Sequence, residues 1–380
     1  MTLRAHSLAF TKQVFRGMKR ADLCKVAIAS GQKVQNVRSL ATQSKPKAVP
    51  ITFSGIQPTG HPHLGNYLGA ISNWVTLQEE AHQAKETVLF SIVDLHAITL
   101  PQDPEKLRKE RREMAITLLA CGVDPKKCIL FEQSKVSGHA ELTCYEQWVP
   151  QAKMGITRGS QSLEDIEATK GLQLGLFAYP VLMAADVLLY KATKIPVGED
   201  QIQHLELARD VAQTFNKMVK KSFFPLPQPK ITETKRIMSL RDPTNKMSKS
   251  DASDQTRINL VDSPDLISSK IKRAVTDGVR GISYDQINRP AVANLIRIYA
   301  AMKRVSVEDV VREHADSSTA AFKEALADAL ITSLKPIQDE MARLEKEDAY
   351  VQSVLDDGAA KAAEIAIPNL QEAQRLLGLR

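Results

Sequence analysis

From residue 51 to residue 216, short runs rich in β-branched and apolar side chains alternate with longer stretches of helical period. That alternation restricts the chain to a parallel sheet with crossover helices. Ile51–Ser54 reads as a strand, Leu64–Gln78 as a helix, Thr87–Val93 as a strand, and Pro104–Ala120 as a helix with Asp103 at the N-cap and Pro104 at the first position. Cys128–Phe131 and Ile195–Val197 continue the strands. Glu199–Asn216 is an amphipathic helix with acids in its first turn, where the helix dipole favours them.

Residues 171–190, GLQLGLFAYPVLMAADVLLY, are apolar enough to suggest a membrane span, but Gln173, Pro180 and Asp186 interrupt them and no second span accompanies them. They read as a buried helix entered near Pro180, with no membrane role. A Pro-rich stretch, FFPLPQPK, and a polar segment, LRDPTNKMSKSDASDQTR, follow. From Ser263-Pro264, an N-cap and a first-position proline, the remaining pattern is helical, which puts a boundary between an α/β part and an all-α part near residue 259.

With 43% apolar and 25% charged side chains the chain can bury a sizeable core, and at ~150 residues per domain its 380 residues suggest two or three domains. The net charge of +7 is unevenly placed. Residues 1–48 hold ten of the 51 Lys and Arg but only one of the 44 acids, Asp22, so the remainder sets 41 basic groups against 43 acidic ones. The leader, with Arg16, Lys19 and Arg20 around Val14, Phe15 and Met18, has the composition of a mitochondrial transit peptide; a basic arm that touches RNA is the alternative. Cys24, Cys121, Cys128 and Cys144 show no metal-ligand spacing and read as reduced thiols, mostly in the core, with neither zinc nor a disulfide framework.

The junction ITFSGIQPTGHPHLGNYLGA, residues 51–70, stands at the carboxyl end of the first strand. There an open α/β sheet holds its ligands, and helix N-termini offer free N–H groups to phosphate. Gly60 and Gly65 would let main chain approach a nucleotide, His63 has an N–H for phosphate oxygens, and Asn66 can bond phosphate or base edges. Taken alone, the plainer reading is a solvated glycine-rich turn. A second segment adds to it: Lys246-Met247-Ser248-Lys249-Ser250 sets two lysines on a polar loop that can swing in against the charge of a leaving pyrophosphate.

HLGN together with KMSKS resembles the paired signatures of the class I aminoacyl-tRNA synthetases, and GIQPTG, YPVLMAADVLLY and PVGEDQIQH are similar to their tryptophan-specific branch. The similarity runs from about residue 51 to the C-terminus. It implies a Rossmann-like, parallel-sheet α/β catalytic domain over residues 49–258, including loop 246–250, and an all-α anticodon-binding domain over residues 259–380. It further implies activation of L-tryptophan with ATP, and transfer to the terminal ribose of tRNA(Trp) by a homodimer in the mitochondrial matrix. Mg2+ would be bound with the nucleotide and not at a dedicated protein metal site.

By the same resemblance His63, Lys246, Ser248 and Lys249 are the catalytic candidates, and Gln57, Gly65, Asn66, Asp200 and Met247 the ATP contacts. No side chain need act as nucleophile, since the substrate carboxylate attacks the α-phosphorus, and catalysis would be positioning plus charge stabilisation.

Asp186 can be read from its own surroundings. A carboxylate in so apolar a helix, with Met183 one turn earlier, needs a partner. A buried pair with Arg or Lys, a capping contact, or acceptance of an indole N–H would each serve. The resemblance implies the last, with Phe53, His96, Tyr179, Val197 and Gln201 completing the tryptophan pocket.

The stretch HAELTCYEQWVPQAKMGITRGSQ departs from the family by being shorter before the mobile loop, where Lys153 is the candidate loop lysine. A tyrosine-specific sibling and a catalytically impaired, synthetase-like RNA-binding protein are the alternatives. Lys270, Lys272, Arg273, Arg289 and Arg297 form a candidate tRNA-phosphate patch, equally readable as a solvated helix face.

Overall fold

The computed structural model describes residues 49–146, 174–197, 202–231, 236–249 and 251–380. Its sheet contains β1 (Ile51–Ile56), β2 (Thr87–Ile92), β3 (Ile129–Glu132), β4 (Lys194–Val197) and β5 (Gln228–Ile231), in the order β3-β2-β1-β4-β5 with every pairing parallel. The chain therefore builds outward from β1 to one side, then returns to place β4 and β5 on the other. This leaves a topological switch point between β1 and β4, where open α/β sheets form a crevice.

β5 falls within the Pro-rich stretch that carries no strand signal. It lies at the sheet edge, where Pro229 can sit in a strand because an edge residue need not donate to a further neighbour.

Helix α1 starts at Leu64–Asn66, passes through a π-helical segment, Tyr67–Ile71, and continues as Ser72–Ala84. Trp74 fixes it to the sheet: its ring stacks on Phe90 with centroids 4.2 Å apart, and its Nε1 donates to Ser54 Oγ at 3.1 Å. Such a buried pair contributes about 0.5–1.5 kcal/mol beyond its buried area.

After β2 come the short α2 (Asp94–Ala97) and then α3 (Pro104–Ala120), whose Asp103 cap accepts the Lys106 N–H at 2.7 Å. α4 (Gly138–Tyr145) follows β3. α5 (Leu174–Leu188) runs through Pro180, with six residues before that proline and eight after it, and is not entered at it. α6 (Ile202–Met218) joins β4 to β5.

Beyond residue 259 every regular element of the described chain is helical: α7 (Pro264–Lys272), α8 (Pro290–Lys303), α9 (Val307–His314), α10 (Thr319–Leu344) and α11 (Asp348–Leu377). Ser263, Ser306 and Ser318 each cap the helix that follows them.

One buried cluster joins Phe90, Ile92 and Leu130 of the sheet to Leu295, Leu330 and Leu355 of the helices. A second gathers Phe53, Phe131 and α5 with Ala362 and Ala366 of α11. Residues 49–380 thus pack as one unit. α11 crosses the edge strand at Gly358, where a Cβ would stand 1.8 Å from the Leu130 carbonyl oxygen, so only glycine allows this approach. Among the described residues no helix is long and apolar enough to cross a membrane.

Candidate functional site

The turn after β1 is left-handed at Gly60 (φ +65°), and His63 is the N-cap of α1. His63 Nδ1 accepts the Asn66 N–H at 3.3 Å while Asn66 Oδ1 accepts the His63 N–H at 3.1 Å, a reciprocal cap. Because Nδ1 is the acceptor, the ring hydrogen sits on Nε2. Burial, with Lys249, Arg257 and Lys246 nearby, lowers the His63 pKa to about 3, so the imidazole is a neutral donor at physiological pH. At Gly65 a Cβ would lie 2.9 Å from His63 Cε1, so glycine leaves the ring its place.

The two signature segments are physically joined. Leu64 N donates to Ile258 O at 2.8 Å and Leu260 N to Pro62 O at 3.0 Å, which ties the head of α1 to the strand-like run just past the lysine loop. Met247 is buried and its N–H donates to Ile237 O, anchoring the middle of the loop. Lys246 is exposed, and Ser248 is half-buried. Lys249 reaches back across the turn, donating from Nζ to Thr59 O at 2.6 Å and Gly60 O at 3.1 Å. Desolvation lowers its pKa to about 8, against the opposing pull of Glu110. Glu110, on α3, accepts the Gly60 N–H through Oε1 at 2.9 Å, a contact hidden in the sequence within the charged run of that helix.

At the switch point lies a cavity of about 520 Å³. β1 supplies Phe53 and Ile56, with Gln57 just beyond; the π-helical turn of α1 supplies Gly69 and Ala70; α5 supplies Tyr179, Met183 and Asp186; β4 supplies Ile195 and Val197; and His96 completes the wall. A π-helical turn widens the helix locally, and such turns recur at functional sites. Seven of the residues singled out from the sequence therefore share this one space: Phe53, Gln57, His96, Tyr179, Met183, Asp186 and Val197. Asp200 and Gln201, and Lys153 of the shortened stretch, lie outside the described residues.

Asp186 is 2% exposed, and its partners among the described residues are neither Arg nor Lys. Oδ2 accepts from His96 Nε2 at 2.8 Å, and Oδ1 accepts from Gln133 Nε2 at 2.6 Å and from His139 Nδ1 at 2.7 Å. Burial alone would raise its pKa, but the bonds from His139 and His96 outweigh burial and hold the carboxyl well below the usual range. Gln133 and His139 escape the sequence reading. Their one available signal is position, since both follow β3 on the carboxyl side of the sheet.

Among the described cysteines, Cys128 is buried, Cys121 half-buried and Cys144 exposed. Burial pushes the Cys121 and Cys128 thiols up to about 12, so neither is a thiolate at neutral pH.

The candidate phosphate patch divides. Lys270 is fully buried, with Nζ 2.5 Å from Asp254 Oδ2 and 2.7 Å from Asp262 Oδ2. Arg289 is buried too: it pairs with both Asp277 oxygens at 2.8 and 2.9 Å and also donates to Val279 O, Gly281 O and Ser283 Oγ. These two cations serve the fold and cannot meet phosphate. Lys272 and Arg273 are exposed.

The family model described as tRNA synthetases class I (W and Y) matches residues 45–335. The chain is 43% identical over 357 residues to the tryptophan–tRNA ligase of Brucella melitensis, covering 87% of this chain and 98% of that protein. It is 40% identical over 371 residues to the mitochondrial tryptophan–tRNA ligase of Dictyostelium discoideum, covering 88% and 97%. The tryptophanyl-tRNA synthetase of Campylobacter jejuni, solved with ADP and tryptophan, superposes with a TM-score of 0.71 at 30% identity, covering 86% of this chain and 99% of that one. A sheet with its switch-point cavity, two signatures joined at the head of α1, and likeness over nearly the full length of these ligases agree: the chain belongs to the class I tRNA synthetases of the W and Y type, within the tryptophan–tRNA ligase family.

Proposed function

We propose that the chain activates L-tryptophan with ATP and magnesium and then charges tRNA(Trp), as a homodimer in the mitochondrial matrix. The observation that carries this reading is the cavity at the switch point, an apolar space with the ionised Asp186 in its wall, from which the turn after Gln57 leads to the neutral His63 and holds the desolvated Lys249 at Gly60.

Phe53, Met183 and Val197 offer apolar surface to an indole, and Asp186 accepts its N–H. Tyr179 and Gln201 take the ammonium end. The substrate carboxylate attacks the α-phosphorus, forming the acyl-phosphate bond as the bond to pyrophosphate breaks, and no protein nucleophile takes part. His63 donates from Nε2 to a phosphate oxygen without adding charge. Gln57, Asn66, Asp200 and the bare main chain at Gly65 position the nucleotide on the loop anchored by Met247.

Lys249 leaves the Thr59 and Gly60 carbonyls for the leaving pyrophosphate, with Lys246 and Ser248 beside it on the same loop. Magnesium supplies further charge neutralisation on the phosphates. In this reading it arrives with the nucleotide.

The matrix location is supported by the composition of residues 1–48 and by the mitochondrial Dictyostelium relative. A dimer contact has exposed apolar surface available in Ile98, Leu100 and Leu174. In this reading Lys272 and Arg273 meet tRNA phosphate.

The test is ATP–pyrophosphate exchange by protein lacking residues 1–48, with tryptophan and with tyrosine. Stimulation by tryptophan alone is expected, and stimulation by tyrosine alone would overturn the reading. Residues 1–48 fused to a fluorescent protein are expected to deliver it to mitochondria.

A further inference from the structure

We propose that His139 and Tyr190, neither of which lines the cavity, are positioning residues that set the demand for an indole N–H by fixing the direction and hydrogen-bond capacity of Asp186. The inference rests on the reading of the cavity as a tryptophan site and goes beyond it.

The argument begins with a count of lone pairs. An ionised carboxylate has about four acceptor positions, two on each oxygen. Oδ1 of Asp186 receives Gln133 Nε2 at 2.6 Å and His139 Nδ1 at 2.7 Å, which fills it. Oδ2 receives His96 Nε2 at 2.8 Å and, among the described residues, keeps one position open, in a residue that lines the cavity. What remains for a ligand is a single acceptor that rewards one donor and nothing else. An aromatic ring without an N–H would leave that position desolvated and unmet, which is how a buried polar site rejects an isostere.

That state of Asp186 depends on which nitrogen of His139 carries the hydrogen. His139 is wholly buried between two partners, with Tyr190 Oη 2.8 Å from Nε2 on the far side of the ring. The tyrosine hydroxyl donates to Nε2, so the ring hydrogen stays on Nδ1 and points at Asp186. Burial and the Asp186 charge raise the Tyr190 pKa, which keeps the hydroxyl a donor at any physiological pH.

Tyr190 is itself held. It is fully buried four residues after Asp186, and its ring stacks on Phe53, a cavity wall residue, at 5.6 Å and 15°. Without the hydroxyl, the buried Nε2 of His139 loses its donor and the ring its hold on the far side, so the Nδ1–H is no longer kept in line with Asp186 Oδ1.

The measurement is ATP–pyrophosphate exchange with the full chain, using tryptophan and its sulfur isostere β-(benzothiophen-3-yl)alanine, which has the ring shape without the N–H. For Tyr190→Phe the KM for tryptophan is expected to rise ~10-fold with kcat within ~2-fold, while the KM for the isostere stays within ~2-fold, so that discrimination collapses. His139→Gln should do the same more strongly. His139→Asn, whose side-chain N–H can occupy the Nδ1 position, should recover part of the discrimination.

An equal rise in both KM values would show a merely structural role and overturn the proposal, as would an unchanged ratio. Tyr190→Phe keeps the ring and its packing, and a thermal melt within a few degrees of the parent protein verifies that the ratio is read on folded protein. Absence of any tryptophan-dependent exchange in the unsubstituted protein would instead overturn the underlying reading of the cavity.

Discussion

Lys249 and Thr59 are joined by a 2.6 Å hydrogen bond from the ammonium to the main-chain carbonyl, across the turn that leads from β1 to His63. The loop lysine is thus stored against two neutral carbonyls at the edge of the site. A doubly or triply charged leaving group is a stronger acceptor than either, so transfer of Lys249 to it stabilises the transition state more than the ground state. Lys249→Ala should lower the rate of tryptophanyl-adenylate formation by ~10²-fold or more and leave tryptophan affinity nearly unchanged. Single-turnover exchange and equilibrium tryptophan binding separate the two, and equal losses in both would remove Lys249 from this role.

The same lysine predicts a pH dependence. Its charged form is the useful one, and with a pKa of about 8 that form is lost as pH rises through 8, so kcat/KM for ATP should fall on the alkaline side. Glu110 raises this pKa and also accepts the Gly60 N–H. Glu110→Gln keeps an acceptor for Gly60 and removes the charge, so the alkaline limb should move to lower pH while the rate at its plateau changes little. A limb that stays where it was would show that Glu110 only shapes the turn.

The parts legible in the sequence are those with a strong period or an explicit cap. The alternation from β1 to α6, the Asp103 and Ser263 caps, and the all-helical pattern past residue 259 all leave such marks. β5 left none, because an edge strand needs only one hydrogen-bonded neighbour and can be built from Gln228-Pro229-Lys230.

Lys270 was legible in principle. It shares a helical face with the buried Ile267 and Ile271, so the 3.6 period turns it inward while Lys272 and Arg273 turn out. The buried partners of Asp186 were not legible, because Gln133 and His139 sit 53 and 47 residues away and only the sheet brings them together.

Glu146 carries a cost that folding has not removed. It is 1% exposed, and among the described residues neither carboxylate oxygen has a hydrogen-bond partner. Burial, and then the Asp186 charge, raise its pKa well above the ordinary value. The folded state therefore holds a proton that the unfolded chain releases above about pH 4.5, so this residue lowers stability progressively as pH rises from there toward its folded pKa. Glu146→Gln should raise the midpoint of thermal unfolding at pH 7 and flatten the fall in stability between about pH 5 and 7. A substitution that lowers the midpoint at pH 7 would mean that the charged carboxylate is tolerated there.

The exposed pair Lys272 and Arg273 ends α7 at its negative pole, and Arg241 Nη1 donates to the Arg273 carbonyl at 2.7 Å, which fixes that end beside the base of the lysine loop. Because residues 49–380 are nearly neutral overall, tRNA must be held by a local field, and these two charges are free for it where Lys270 and Arg289 are not. Replacing both by Ala should weaken tRNA binding, reduce the slope of log K against log salt by roughly one to two, and spare tryptophan activation. Lys270→Ala should act differently: it strips Asp262, itself buried, of its cation, so the protein should melt at lower temperature, with tRNA binding falling only as far as folded protein is lost. An unchanged salt slope in the double variant would clear this surface of tRNA and leave the contact to other faces of α8 to α11.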